Sequence, residues 1–371
     1  MNYDALALFS GGLDSILAAK LMQSLGHKVL GLHFISPFFG QQDQIQTWTL
    51  EYAIPIEGVD ISHEYVQLLI DFPTYGFGQV LNPCVDCKVL MLRQAKALLS
   101  KYKASFIISG EVLGQRPMSQ RTDALNIIRN QAGVRDVLLR PLSAGLLPPT
   151  PMEESGLVDR SRLLRINGRG RREQYALAKT LGITKIPAQS GGCRLAERES
   201  ARRYWPVLRL CPEARLFEVA NVGRQLWRRF DEEPSGHWLV VGRQHEDNER
   251  LLALSGPKDL QFTLKDFPGP LALAPYIAGL VWTDQILVEA AACLVSFAPK
   301  ARTHRGPVDI LVKQGQRESI IQVEPGSEHD FMPPLAWDKT REEQKLWSKG
   351  RDIWAGPDLK FTPGEVQEGA E

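Results

Sequence analysis

Ser10-Gly11-Gly12-Leu13-Asp14-Ser15 puts two hydroxyls, a pair of glycines and one carboxylate into six consecutive residues, a combination suited to holding a phosphate. Glycines let the backbone close on an anion because they lack a Cβ and reach positive φ freely. If a helix begins here, its free N–H groups and its dipole add to the attraction. Ser10 and Ser15 supply further donors, whereas the Asp14 carboxylate would repel a phosphate and suits a Mg2+ ion or a turn cap. The Walker pattern is absent, since no Gly-Lys-Ser/Thr follows.

A second group of reactive residues is sulfur-based: Cys84-Val85-Asp86-Cys87, and far along the chain Gly191-Gly192-Cys193-Arg194. Thiolates near a helix start are favoured, and paired glycines let a substrate come close to a thiol. Two chemistries fit. In one, a thiolate carries a persulfide that a second thiol resolves as a disulfide. In the other, three thiolates hold a 4Fe-4S cluster with one iron open. Zn2+ is a rival for the C-x-x-C pair and would take Cys211 as its fourth ligand. Cys293, and less firmly Cys211, read as small buried hydrophobes.

These residues need elements to carry them. Asp4 to Phe9 reads as a strand, Leu13 to Leu25 as an amphipathic helix, and Lys28 to Ile35 as a second strand. That β-α-β opening implies an α/β fold with a parallel sheet and right-handed crossovers. A helix is expected over Cys87 to Lys101 and a strand over Ser105 to Ser109, ending at Gly110-Glu111. Residues 143–158 carry prolines and glycines that predict a loop, and helix returns near Arg172 to Leu181. Beyond Arg229 the pattern predicts a separate, smaller α+β domain. Its expected strands are Trp238 to Val241, Leu251 to Leu254, Leu260 to Thr263, Leu271 to Leu273 and Val308 to Lys313, with a helix near Thr283 to Phe297. The expected division is 1–200, an Arg-rich connector over 201–235, 236–325, and a weakly ordered tail over 326–371.

The 371 residues are 43% hydrophobic and 23% charged, which excludes collagen-like and wholly disordered classes. No apolar run is long enough to span a bilayer, the opening lacks signal-peptide character, and five cysteines, an odd count, argue for a reducing compartment. The cytoplasm is the expected location. The net charge of +1 hides a basic stretch: Arg160 to Phe230 holds 17 Lys/Arg against five Glu, which suits a polyanion.

The Ser10–Ser15 hexapeptide at a first β-α turn resembles the PP-loop of N-type ATP pyrophosphatases. Four further segments extend the likeness: Cys84-Val85-Asp86-Cys87 running on to Ala95, Ser109-Gly110-Glu111-Val112-Leu113-Gly114-Gln115, Ser119-Gln120, and Arg140-Pro141-Leu142. Together they are similar to the PP-loop domain of tRNA 4-thiouridine synthetases, while Asn82-Pro83-Cys84 is also similar to tRNA 2-thiouridylases. The resemblance implies a sulfurtransferase in which ATP and Mg2+ are bound by Ser10, Gly11, Gly12, Asp14, Ser15, His33, Gly110 and Gln115, with the adenine near His33 and Phe34. It implies catalytic roles for Asp14, Cys84 and Cys193, and a cluster held by Cys84, Cys87 and Cys193. Glu111 and Gln115, beside Arg116, are expected to position the nucleotide or the uridine. The implied partners are tRNA and a sulfur donor, either a cysteine desulfurase or sulfide; a homodimer is left open. Beginning directly at the PP-loop strand, the sequence is expected to lack the amino-terminal RNA-gripping module and the sulfurtransferase domain of those enzymes. With Trp238-Leu239-Val240-Val241-Gly242-Arg243-Gln244, Asp247 to Leu252, Pro257-Lys258-Asp259-Leu260, Pro268-Gly269-Pro270, and Lys300-Ala301-Arg302 to Asp309, residues 236–325 resemble the RNA-binding domain of NFACT proteins, with RNA expected there and on the basic stretch. Two other classes compete: an amidotransferase-type synthetase acting on a small acceptor, and a non-catalytic ATP-sensing RNA-binding protein.

Overall fold

The computed structural model describes residues 2–187, 192–230 and 233–349. Its first half alternates strands and helices: β1 (Ala5–Leu8), α1 (Leu13–Ser24), β2 (Val29–Ile35), α2 (Ile45–Tyr52), β3 (Ile56–Asp60), α3 (Ser62–Ile70), α4 (Cys84–Tyr102), β4 (Phe106–Ser109), α5 (Thr122–Gln131), β5 (Leu138–Leu139), α6 (Pro151–Glu154) and α7 (Arg172–Thr180). The strands form one parallel sheet in the order β3-β2-β1-β4-β5. β1 and β4 are buried along their whole length, as continuous apolar strands covered on both faces must be. The order turns back at β1, whose neighbours are β2 and β4, and ligands of open parallel sheets bind at the carboxyl ends of strands at such a point. Ser10–Ser15 follows β1 directly.

Within the stretch expected as an Arg-rich connector over 201–235 lie most of α8 (Arg198–Leu210) and all of α9 (Ala214–Ala220). Tyr204, Trp205, Leu216 and Phe217 are buried, and the Phe38 ring lies 4.9 Å from that of Phe217. The amphipathic pattern of this stretch, with its arginines on one side, explains both its charge and its packing.

The second sheet is antiparallel and starts earlier than residue 236. It contains β6 (Arg224–Phe230), β7 (Glu233–Val241), β8 (Leu260–Leu264), β9 (Ala272–Ala274), β10 (Val308–Gln314), β11 (Arg317–Val323) and β12 (Phe331–Met332), in the order β11-β10-β8-β9-β7-β6-β12. α10 (His245–Leu254), α11 (Asp284–Ser296) and α12 (Pro299–Arg302) complete this unit, and α13 (Trp337–Lys349) follows it. The strand expected over Leu251 to Leu254 is instead the last turn of α10. Glu246 and Asp247 in its first turn favour a helix start, and four residues of apolar run do not separate a strand from a helix end. Part of the segment expected to be weakly ordered is folded, because Trp205 Nε1 and Arg209 donate to Glu343 at 2.8 and 3.2 Å and pin α13 to α8.

One face of the parallel sheet (Leu6, Leu30, Leu32, Ile107) packs under α3, α4, α8 and α9 in a core that continues without a break into Trp227, Trp238 and Val240 of the second sheet. The other face (Ala5, Ala7, Phe106, Ile108) is closed by α1 and Ala178 of α7. Among the described residues no helix is long and apolar enough to cross a membrane.

Candidate functional site

The PP-loop is held by its own hydroxyls. Ser15 Oγ donates to the Gly12 carbonyl at 2.7 Å and accepts from the Ser10 N–H at 3.2 Å, closing the turn. Gly12 is the N-cap of α1 and brings no capping side chain, so the unsatisfied N–H groups of the first turn are left to a ligand. Gly11 sits at φ 75°, in the left-handed region, and a Cβ there would lie 2.6 Å from the Trp48 ring. Gly110, at the exit of β4, is glycine for another reason: a Cβ would meet the Asp14 carbonyl oxygen at 2.6 Å and Ser15 Cα at 2.8 Å. The glycine therefore lets β4 close against the start of α1.

Asp14 and Gln115, 101 residues apart, meet at the loop. Gln115 Nε2 donates to Asp14 Oδ2 at 2.7 Å, and Gln174 Nε2 on α7 donates to Gln115 Oε1 at 3.2 Å. The second carboxylate oxygen, Asp14 Oδ1, is buried with no hydrogen-bond partner. An orphaned hard oxygen beside an anion cradle fits a Mg2+ ligand. Glu111, next to Gly110, is fully buried and paired with Arg140 at 2.9 Å. Burial by itself raises its carboxyl, but the guanidinium of Arg140, the charge of Lys88 and the hydrogen bonds it accepts outweigh that and hold it below the usual carboxylate range. Glu111 thus props the floor of the site.

His33, expected beside the adenine, has both ring nitrogens engaged by the chain itself. Nδ1 bonds the Phe9 carbonyl at 2.9 Å, and Nε2 accepts from the Gln41 N–H at 2.8 Å. That pairing requires the neutral ring with its proton on Nδ1, and burial lowers its pKa despite the opposing pull of the Phe9 carbonyl. No polar atom of His33 is left for a nucleotide. The aromatic surface at the loop belongs to Trp48 of α2, a residue the sequence reading missed; its ring lies 5.0 Å from that of His33 and 5.7 Å from that of Phe9.

The three cysteines come from separate segments to the same carboxyl edge of the sheet. Cys84 and Cys87 occupy the first turn of α4, the helix that leads down into β4. Cys193 is docked by two backbone bonds, Arg194 N–H to the Phe38 carbonyl just past β2, at 2.9 Å, and Leu81 N–H to the Leu195 carbonyl at 3.0 Å. Asn82 Nδ2 donates to Cys84 Sγ at 3.1 Å. Burial pushes the Cys87 thiol up to about 11, with the nearby Tyr65 hydroxyl and Lys88 charge pulling the other way. Burial, with charge on Cys87, pushes the Cys193 thiol up to about 12. The Tyr65 phenol lies among all three sulfurs: burial holds it well above its ordinary value and charge on Cys87, Cys193 or Cys84 would raise it further. All five cysteines are free, and Cys211 and Cys293 are buried. Among the described residues no group of three or more His, Cys, Asp or Glu is arranged to hold a metal ion. The thiols converge, but as placed they form neither the expected cluster site nor the zinc alternative. Gly191 lies outside the described residues.

The basic stretch divides in two. Arg209, Arg215 and Arg228 are tied to Glu343, Asp259 and Glu289 and serve packing. Arg162, Arg165, Arg169 and Arg172 are exposed. Gly168 N–H donates to the Leu113 carbonyl at 2.7 Å, which docks this arginine-bearing loop beside the exit of β4.

The fold and loop define an α/β domain of the PP-loop class. Residues 1–145 match the model of the family described as thiamine biosynthesis protein (ThiI). A probable tRNA sulfurtransferase of Methanobrevibacter smithii is 32% identical over 148 residues, covering 37% of this chain and 36% of that protein. A tRNA-specific 2-thiouridylase MnmA of Petrotoga mobilis is 29% identical over 133 residues, covering 30% of this chain and 36% of that protein. The chain thus spans about a third of the length of these relatives, and the matched family model ends at residue 145, before the second sheet. The structure of the C-terminal part of a fibronectin/fibrinogen-binding protein from Streptococcus suis covers 71% of this chain and 81% of its own, at 13% identity and a TM-score of 0.24, a likeness too loose to bear on the fold.

Proposed function

We propose that this protein is a tRNA sulfurtransferase that activates a uridine carbonyl with ATP and replaces its oxygen with sulfur. The observation that carries the reading is the placement of the PP-loop and of three thiols from distant segments on one carboxyl edge of the sheet. ATP lies over Ser10–Ser15, with Mg2+ held at Asp14 Oδ1 to offset phosphate charge. The N–H groups at the start of α1 stabilise the departing pyrophosphate as the uridine oxygen bonds the α-phosphorus. Sulfur presented from the Cys84, Cys87 and Cys193 site then bonds the activated carbon, and AMP leaves with the former carbonyl oxygen. With sulfide as the donor this substitution is complete in itself. With a persulfide loaded onto one of the three cysteines by a cysteine desulfurase, the outer sulfur bonds the carbon. A second cysteine thiolate then attacks the inner sulfur, breaking the S–S bond, releasing thiouridine and leaving a cysteine disulfide that an external thiol reduces. A 4Fe-4S cluster at these thiols would supply an open iron for sulfide, and no step above depends on it. Exposed Arg162, Arg165, Arg169 and Arg172 flank the edge and suit the phosphates of RNA, and the second sheet supplies further RNA-binding surface.

The test is incubation with unmodified tRNA, ATP, Mg2+ and sulfide, followed by nucleoside mass spectrometry and assay of pyrophosphate. Thiouridine together with tRNA-dependent pyrophosphate release is the expected result. Pyrophosphate released without RNA and no thiolated nucleoside would overturn it in favour of a synthetase acting on a small acceptor.

A further inference from the structure

Gln174 lies on α7, outside the residues that match the ThiI model, and is completely buried. Its Nε2 donates to Gln115 Oε1, and Gln115 Nε2 donates to Asp14 Oδ2. The direction of this chain is fixed by chemistry at its far end. An ionised carboxylate only accepts, so Gln115 must turn its NH2 to Asp14 and its oxygen away. That oxygen is met by the NH2 of Gln174, and against this placement a flipped Gln115 would face oxygen with oxygen and nitrogen with nitrogen; the Gln174 oxygen itself is buried with no partner. One oxygen of Asp14 is thereby occupied and the other, Oδ1, is left bare in a buried position. Gly110 holds the Asp14 backbone from the opposite side, with no space for a Cβ between them.

We propose that Gln174 is a positioning residue of the nucleotide site: it locks the amide of Gln115 so that Asp14 keeps a single free oxygen aimed at the divalent cation that accompanies ATP. This rests on the ATP-dependent reading above. A residue that only pinned α7 to the loop after β4 would contribute to stability without altering cation affinity. The positioning role predicts a cation effect that passes entirely through Gln115.

Mn2+ is the probe, titrated into the full chain with a non-hydrolysable ATP analogue and followed by electron paramagnetic resonance. The variants are Gln174→Met, Gln115→Leu and the double variant, with Gln174→Leu as a second replacement should Gln174→Met not fold. The expected result is a Mn2+ midpoint raised up to roughly tenfold by Gln174→Met, the upper scale of one lost neutral hydrogen bond. No further change is expected when Gln174→Met is added to Gln115→Leu. A wild-type midpoint in both Gln174 variants, or an effect that adds in full to that of Gln115→Leu, would overturn the inference while leaving the proposed function standing. Failure of the wild type to take up Mn2+ with the ATP analogue would overturn both.

Discussion

Ser10–Ser15 takes its shape from bonds among its own residues, whereas Cys84, Cys87 and Cys193 meet only because α4, the turn after β2 and the segment entering α8 are packed together. Both sites stand on one edge of one sheet. The local site is closed by its own hydrogen bonds and has no room for a Cβ at Gly110. The assembled site is a half-buried group of thiols in which burial holds Cys87 and Cys193 above the ordinary thiol range, and it is held by two backbone bonds rather than by a preformed cage. The contrast teaches that anion binding can be encoded in a hexapeptide, while sulfur chemistry must be encoded in tertiary packing.

Substitutions at the two sites should therefore differ in what they damage. The largest effect is expected for Arg140→Met, which leaves Glu111 buried and unpaired beneath the loop. Urea unfolding should show a loss of about 3–5 kcal/mol. Next is Gly110→Ala, for which overpacking against the Asp14 carbonyl should cost about 1–3 kcal/mol and weaken ATP binding, measured by calorimetry. A loss confined to stability would break the idea that the loop is shaped for nucleotide.

Glu111 gives the local site a pH signature. Its folded pKa is lowered, so its contribution is complete above the ordinary glutamate value of about 4.3 and drains away as pH falls through the folded value. Unfolding followed from pH 6 downward should therefore show a slope that Arg140→Met flattens. Smallest in stability is Cys193→Ser, a half-buried near-isostere expected to change unfolding by less than about 1 kcal/mol while abolishing thiouridine formation. The thiols themselves offer a finer probe. With Cys87 pushed up to about 11 and Cys193 to about 12, iodoacetamide should modify both at pH 8 more slowly than an ordinary thiol of pKa about 8.5, and faster as pH rises toward 10. Peptide mass spectrometry reads this directly; fast labelling at pH 7 would show the cluster to be open rather than buried.

Legibility followed the same division. The loop, the two flanking strands and α1 could be read because turn, periodicity and strand lie within some thirty adjacent residues. The three cysteines could be named by type, but not their common neighbour Tyr65, which arrives from α3 and has no motif around it. Gln174 was out of reach for the same reason, since its partner is 59 residues away and a lone glutamine on a helix carries no signal. His33 misled in the opposite direction: it sits at the strand end where a ligand contact is expected, yet both nitrogens are taken by backbone partners that only the folded chain reveals. α8 and α9 were not picked out, because the arginines drew the reading to charge and a polyanion surface, although Tyr204, Trp205 and Phe217 mark a buried side.

The parallel stack of Trp227 on Trp238, 4.9 Å apart and inclined by 4°, lies in the same apolar cluster as Leu6 and Leu32 of the first sheet. The two sheets are therefore expected to share a melting transition through α8 and α9. A fragment ending before Arg224 would leave Val219, Ala220 and the Trp205 face of α8 without their cover, so heating or chaotrope should dissolve both halves of the described chain together, with tryptophan fluorescence and far-ultraviolet dichroism falling along one curve.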